Sequence, residues 1–194
     1  MKRDLELLYE VGSLRNLKRT WSQFLGQDVE NVSEHTLRVV WLALTIARLE
    51  KKGDEAKILK IALVHDLCES RTGDTNYIHT LYTKAEDEKA VRGTLKETVF
   101  EKDFNPLFKE YKERSSIEAK IVKDADILEV DLELVELEER GLKFKKSHQH
   151  YRDKIAQNLY TKGAKKLYQE IQKGVRQARP NHWLFQARAF GEKK

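Results

Sequence analysis

The sequence predicts an all-α fold in a single domain spanning residues 1–194. Three observations predict it: apolar residues recur at helical spacing along most of the chain, only two prolines interrupt it, and no low-complexity linker, internal repeat or compositional break divides it. At 194 residues the chain can bury a substantial core. Read coarsely, helices cover about 3–18, 34–52, 54–68, 84–101, 105–112, 115–140, 147–172 and 180–189. Ser33 is the expected N-cap of the second helix, ahead of the apolar run from Leu37 to Leu49, so His35 falls in the first turn. Gly53 separates this helix from the next, and Gly73 with Asp74 breaks the chain after Glu69, leaving Arg71 to Thr83 as a loop. Loops held on a rigid helical scaffold are where substrate contacts concentrate. Ile117 to Asp126 is helical again, with carboxylates interrupting its apolar face, and residues from about 142 onward form a basic helical extension.

The chemistry is concentrated in His65 and Asp66, an imidazole and a carboxylate set into the apolar run Ile61-Ala-Leu-Val-His-Asp-Leu-Cys-Glu69. A buried carboxylate without a partner costs many kcal/mol, so such a pair is either mutually satisfied or bound to a metal. His35 and the carboxylates of 117–126 supply further candidates from separate helices. One His, one His-Asp pair and one Asp form a mixed nitrogen and oxygen set. Such a set suits a borderline or hard divalent ion with positions left for water and substrate. Helical phase does not choose between Asp124 and Asp126 as the last donor.

The ordered pattern His35, His65-Asp66, Asp126 resembles the HD-domain superfamily of metal-dependent phosphohydrolases. Glu30-Asn-Val-Ser-Glu-His35, His65-Asp-Leu-Cys-Glu-Ser-Arg-Thr-Gly-Asp74 and Ala119-Lys-Ile-Val-Lys-Asp-Ala-Asp126 are similar to stretches of the HD-domain 5'-deoxynucleotidases and the related HD domain-containing protein 2 group. The resemblance runs from about Leu14 to about Gly141. It implies a helical HD-domain bundle with His35, His65, Asp66 and Asp126 as ligands of one divalent cation (Mn, Co, Mg, Ni, Fe or Zn). It further implies that Glu69 orients the attacking water and that Asp74 helps protonate the 5'-oxygen, although spacing alone does not divide acid from base. Arg19-Thr-Trp21 resembles the element that contacts the nucleotide and crowds the sugar against a 2'-hydroxyl; relatives have Arg-Trp or Arg-Thr-Gly-Trp there, so the Arg19 spacing departs from theirs. The implied activity is hydrolysis of deoxynucleoside 5'-monophosphates by a homodimer.

Other residues carry less. Cys68 is a lone thiol in an apolar segment and reads as packing. His148 and His150 are spaced i, i+2, which points them to different sides of a helix. His79 lies in the loop beside the site, and Asn181-His-Trp183 is expected to cover the core or a neighbouring subunit. The net charge of +5 arises from 37 basic residues interspersed with 32 acidic ones, a solvated surface rather than a stripe that tracks nucleic-acid phosphates. No segment approaches the roughly 20 apolar residues of a membrane span, and Met1-Lys-Arg-Asp lacks a signal-peptide stretch, so a cytoplasmic protein is expected. The rival functions are another HD-family phosphohydrolase, acting on a signalling nucleotide, a cyclic dinucleotide or a deoxynucleoside triphosphate, and a non-catalytic nucleotide- or RNA-binding module.

Overall fold

The computed structural model describes residues 1–142 and 145–173, with backbone alone for residues 139 and 145–148. The helix expected at 180–189, the Asn181-His-Trp183 segment and the side chain of His148 lie outside the described residues. Eleven α-helices occupy the described chain: α1 (Lys2–Ser13), α2 (Ser22–Leu25), α3 (Val32–Glu50), α4 (Glu55–Val64), α5 (Glu69–Thr72), α6 (His79–Tyr82), α7 (Asp87–Leu95), α8 (Glu101–Glu113), α9 (Ile117–Glu139), α10 (Lys145–Gln157) and α11 (Lys162–Lys173). No strand is present among these residues; the one β-type pairing is an isolated bridge between Lys18 and Asn31.

The main core is built where α3, α4 and α9 pack together, with α8 and α11 closing its sides. Val39, Ala43, Ile46, Ile58, Ile61, Ile121, Val122 and Leu128 are among its fully buried members. Each such branched side chain contributes about 1.5–3 kcal/mol on leaving water. A second cluster holds Leu7, Val64, Leu67, Cys68, Val91, Leu95 and Phe108. Gly53, at φ +88°, makes the turn between α3 and α4; a Cβ there would meet Ile58 Cδ1 at 3.1 Å.

Several expected boundaries shift, each for a local reason. The N-cap of α3 is Asn31 rather than Ser33, because Asn31 Oδ1 accepts from Glu34 N while Glu34 Oε2 accepts from Asn31 N, both at 3.0 Å, a reciprocal capping box. The helix expected to run to residue 68 ends at Val64. Beyond it the backbone tightens into three-residue turns, with Leu67 N donating to Val64 O at 3.2 Å and Glu69 N to Asp66 O at 3.0 Å. His65 and Asp66 therefore sit in turns, and Glu69 opens the separate short helix α5. The helix expected at 84–101 is shorter, Asp87–Leu95, and α8 starts at Glu101 and continues through Pro106. Acidic Glu101 and Asp103 in the first turn favour that start.

The expected helix 147–172 is two helices, and tertiary contacts make the break. Asp124, fully buried on α9, accepts from Tyr160 N and Thr161 N at 2.8 Å and from the Thr161 hydroxyl at 2.7 Å; Thr161 Oγ1 in turn accepts from Ala164 N at 3.2 Å. Those amides need no helical partner once a carboxylate serves them. Asp131 and Arg152 hold α10 to α9 through two contacts, Nε to Oδ1 at 2.9 Å and Nη2 to Oδ2 at 2.6 Å, and Arg152 also donates to Ile127 O at 2.7 Å. Asp124 thus belongs to the scaffold. Asp124→Ala strands two backbone amides and a hydroxyl, and should lower the free energy of unfolding in urea by about 2–3 kcal/mol while leaving divalent-cation affinity unchanged.

Candidate metal centre

Val64, Leu67 and Cys68 bury into the second core cluster, and in doing so turn His65 and Asp66 the other way, toward α3 and α9. The capping box of α3 sets His35 one turn into that helix. Around the meeting point, His35 Nε2 lies 3.4 Å from His65 Nε2, 3.4 Å from Asp66 Oδ2 and 3.3 Å from Asp126 Oδ1, and His65 Nε2 lies 3.2 Å from Asp66 Oδ2. Two donors each about 2.1 Å from one cation stand about 3.0–3.4 Å apart, depending on whether the geometry is octahedral or tetrahedral. The His35, His65 and Asp126 donor atoms gather within 4.8 Å of one another, the reach of one divalent ion, and Asp66 Oδ2 lies beside both histidines.

Their orientations fit as well. His65 Nδ1 lies 2.7 Å from Ala62 O; a carbonyl only accepts, so Nδ1 carries a proton and Nε2 is the nitrogen turned to the cluster. Asp126 is gripped through Oδ2, by the Tyr111 hydroxyl at 3.0 Å and the Lys123 ammonium at 2.7 Å, which leaves Oδ1 toward His35. Burial opposes the charged forms of these groups, yet the ion pairs prevail: Asp66 is held well below the usual carboxylate range by His65 and His35, and Asp126 by Lys123 and His35. Burial would likewise lower the His35 pKa, but Asp126, Asp66, Glu129 and Glu30 hold it well above the ordinary imidazole value.

Glu69 and Asp74 flank the cluster and line the same cleft, about 610 Å³ in volume, as Arg19 and Trp21. One Glu69 oxygen, Oε2, is buried without a hydrogen-bond partner. Burial and the neighbouring Asp66 and Asp74 charges push its pKa up to about 10, against the pull of Arg19 and His35. Asp74 follows Gly73, whose φ of +76° is a conformation that disfavours a side chain, and its Oδ2 accepts from the Thr20 amide and from the Thr20 hydroxyl at 2.8 Å. Arg19 lies between two acids, 3.4 Å from Asp66 and 3.6 Å from Asp74. The bridge between Lys18 and Asn31, with Val32 N donating to Leu17 O at 3.0 Å, fixes the segment that carries it. Trp21, half-buried just before α2, is on the cleft wall.

All eight residues singled out from the sequence therefore lie at this one place. Asp124 and Cys68 do not join the donor set: Asp124 caps the break before α11, and the Cys68 thiol is packed in the second core, its pKa raised chiefly by burial. His150 is exposed on α10 and His79 sits on α6. The residues that orient the donors were not singled out. Tyr111, Lys123 and Thr20 carried no local signal; Glu129, whose Oε2 is 2.8 Å from His35 Nδ1, did carry one. Asp126, Glu129, Glu133 and Glu136 recur at three- and four-residue steps, an acidic stripe along one side of the segment.

The chain is 33% identical over 153 residues to the 5'-deoxynucleotidase HDDC2 of Dictyostelium discoideum, covering 72% of this chain and 80% of that protein. It is 34% identical over 143 residues to the protein of the same name from Danio rerio, covering 70% of each. Among solved structures, a protein from Pyrococcus horikoshii OT3 superposes with a TM-score of 0.72 at 27% identity, over 87% of this chain and 98% of that one. The HD-domain family model matches residues 11–171, a span that contains every donor and flanking carboxylate described above, and the chain belongs to that family.

Proposed function

We propose that the protein is a metal-dependent phosphomonoesterase that hydrolyses deoxynucleoside 5'-monophosphates to deoxynucleosides and inorganic phosphate. The observation that carries this reading is the placing of His65, Asp66 and Asp126 at 3.3–3.4 Å from His35 Nε2, beside two further carboxylates and a cleft large enough for a nucleotide. The names of the Dictyostelium and zebrafish relatives support the substrate class. In this reading the four donors hold one divalent cation, of the Mn, Co, Mg, Ni, Fe or Zn group. Such a cation lowers the pKa of water and offsets charge on phosphoryl oxygens.

The remaining work falls to the chain's own groups. Glu69 presents a buried oxygen with no protein hydrogen-bond partner beside the donors, a position suited to orienting water. Asp74 is fixed by Thr20 on the far side of Arg19 and serves the leaving 5'-oxygen. Arg19 contributes positive charge toward the phosphate, and the Trp21 ring restricts the sugar. A monophosphate is favoured over a triphosphate because the cations lining the cleft are mostly committed: Arg19 to Asp66 and Asp74, Lys123 to Asp126, and Lys112 to Asp87 at 2.8 Å. A cytoplasmic homodimer completes the proposal; exposed Leu37 and Trp41 on α3 offer apolar surface for a second copy.

Phosphate release from deoxy- and ribonucleoside monophosphates, triphosphates and cyclic dinucleotides, assayed with each cation and after chelation, tests the function. Turnover of deoxynucleoside monophosphates that chelation removes is expected; turnover of the other classes alone overturns the assignment. Asp66→Ala should abolish both turnover and cation retention. Glu69→Ala should lower kcat by about 10²–10⁴ while the bound cation, measured by elemental analysis, stays at the wild-type level. Trp21→Ala should narrow the ratio of deoxy to ribo kcat/KM, chiefly by improving the ribonucleotide.

A further inference from the structure

The cation-facing nitrogen of His35 is decided on the opposite side of its ring. His35 Nδ1 lies 2.8 Å from Glu129 Oε2, with both residues fully buried, and Glu30 Oε1 approaches the same nitrogen to 3.6 Å. Glu129 is held in turn from α3: Arg38 Nη1 lies 3.4 Å from Glu129 Oε1, while Arg38 Nη2 reaches Glu136 at 3.2 Å, Glu133 at 3.5 Å and Glu30 at 3.9 Å. Helix α3 thus supplies His35 and, one turn on, the arginine; α9 supplies Asp126 and, one turn on, Glu129.

We propose that Glu129, charge-paired with Arg38, is a positioning residue that keeps the proton of His35 on Nδ1 and its Nε2 lone pair on the cation, and so sets the cation affinity of the site. An ionised carboxylate has acceptors only, so the ring nitrogen facing it must donate. Arginine has donors only, so whatever replaces Glu129 must turn its acceptor toward Arg38. In Glu129→Gln the amide oxygen therefore faces the guanidinium and the NH₂ faces His35 Nδ1. That arrangement places the ring proton on Nε2, in the position the cation needs. A nearly isosteric change, far from any substrate, should act as a tautomer switch. Outer partners of metal-binding histidines are worth about 10–100-fold in affinity, and the Gln variant should lie in or beyond that range.

The inference rests on reading the four donors as a cation site, but not on the substrate, so the test uses Co²⁺ alone. Cation-free wild type and Glu129→Gln are titrated with Co²⁺ and followed by its visible absorption, and the wild type loaded with Zn²⁺ is examined by ¹⁵N NMR of its histidines. Expected results are a Co²⁺ affinity at least about tenfold weaker in the variant, with an unchanged melting temperature for the cation-free protein, and a wild-type His35 that is metallated on Nε2 and protonated on Nδ1. A purely structural Glu129 would lower the melting temperature and leave the Co²⁺ affinity of the folded variant within twofold, which overturns the proposal. Metal on Nδ1 in the wild type overturns it without any variant, should the variant fail to fold. Wild type that binds no Co²⁺ sinks the phosphomonoesterase reading too, whereas equal binding by both proteins sinks this inference alone.

Discussion

The molecule depends on the contact between α3 and α9, where ionisable side chains have been placed at the depth of the core. His35 and Glu129 are fully shielded from water, and Glu30 and Glu133 nearly so. At that depth one unpaired charge costs several kcal/mol, a large share of the stability of a domain this size. The arrangement persists because each charge has a partner: the histidine nitrogens beside Asp66 and Asp126, Arg38 against Glu129, Glu133 and Glu136, Lys123 against Asp126. Apolar packing brings the two helices together. The charge pattern then specifies the register, since sliding α9 by one turn would separate Glu129 from His35 and Asp126 from the other donors.

How much of this could be read in the chain depended on whether the cause was local. The helical class and the approximate places of α3, α4 and α9 follow from periodicity in contiguous residues, and the ordered His, His-Asp and Asp pattern survives any error in helix boundaries. The boundaries themselves were set elsewhere. The gap between α10 and α11 exists because Asp124, 36 residues upstream of Tyr160, supplies the acceptors for its amides. For the same reason phase could not separate Asp124 from Asp126: α9 is buried on several faces, so a carboxylate on either can be satisfied, one by capping α11 and one by joining His35. The tight turns at 65–68 were also hidden, because Val64, Leu67 and Cys68 can be buried by a helix or by the turns that replace it.

The two sides of the cleft are built differently. The donors stand on long helices or on turns anchored in a core cluster, whereas Arg19, Trp21 and Asp74 lie on irregular segments joined by Thr20 and the Lys18–Asn31 bridge. Rigid support suits a cluster in which displacements of a few tenths of an ångström change which atoms can share an ion. The other side touches the part of a nucleotide that varies, and there loop geometry can change without disturbing the donors.

An electrostatic difficulty then makes sense of the donor set. The cleft is lined by Asp66, Asp126, Glu69 and Asp74, yet the proposed substrate is itself an anion. Arg19 offsets only part of that charge, and Lys123 is already consumed by Asp126. Without a divalent ion the field at the cluster opposes a phosphate; with one, the local sign inverts. Cation and substrate are on this view linked ligands: bound cation tightens the nucleotide by the factor by which bound nucleotide tightens the cation, so below cation saturation a weaker cation site also weakens apparent nucleotide binding. The partner of His35 on its hidden side therefore bears on nucleotide affinity as well as on the ion, although Glu129 never approaches the cleft. A residue that shapes recognition from inside the core, through one ring and one proton, is the expected consequence of setting a charged site between two packed helices.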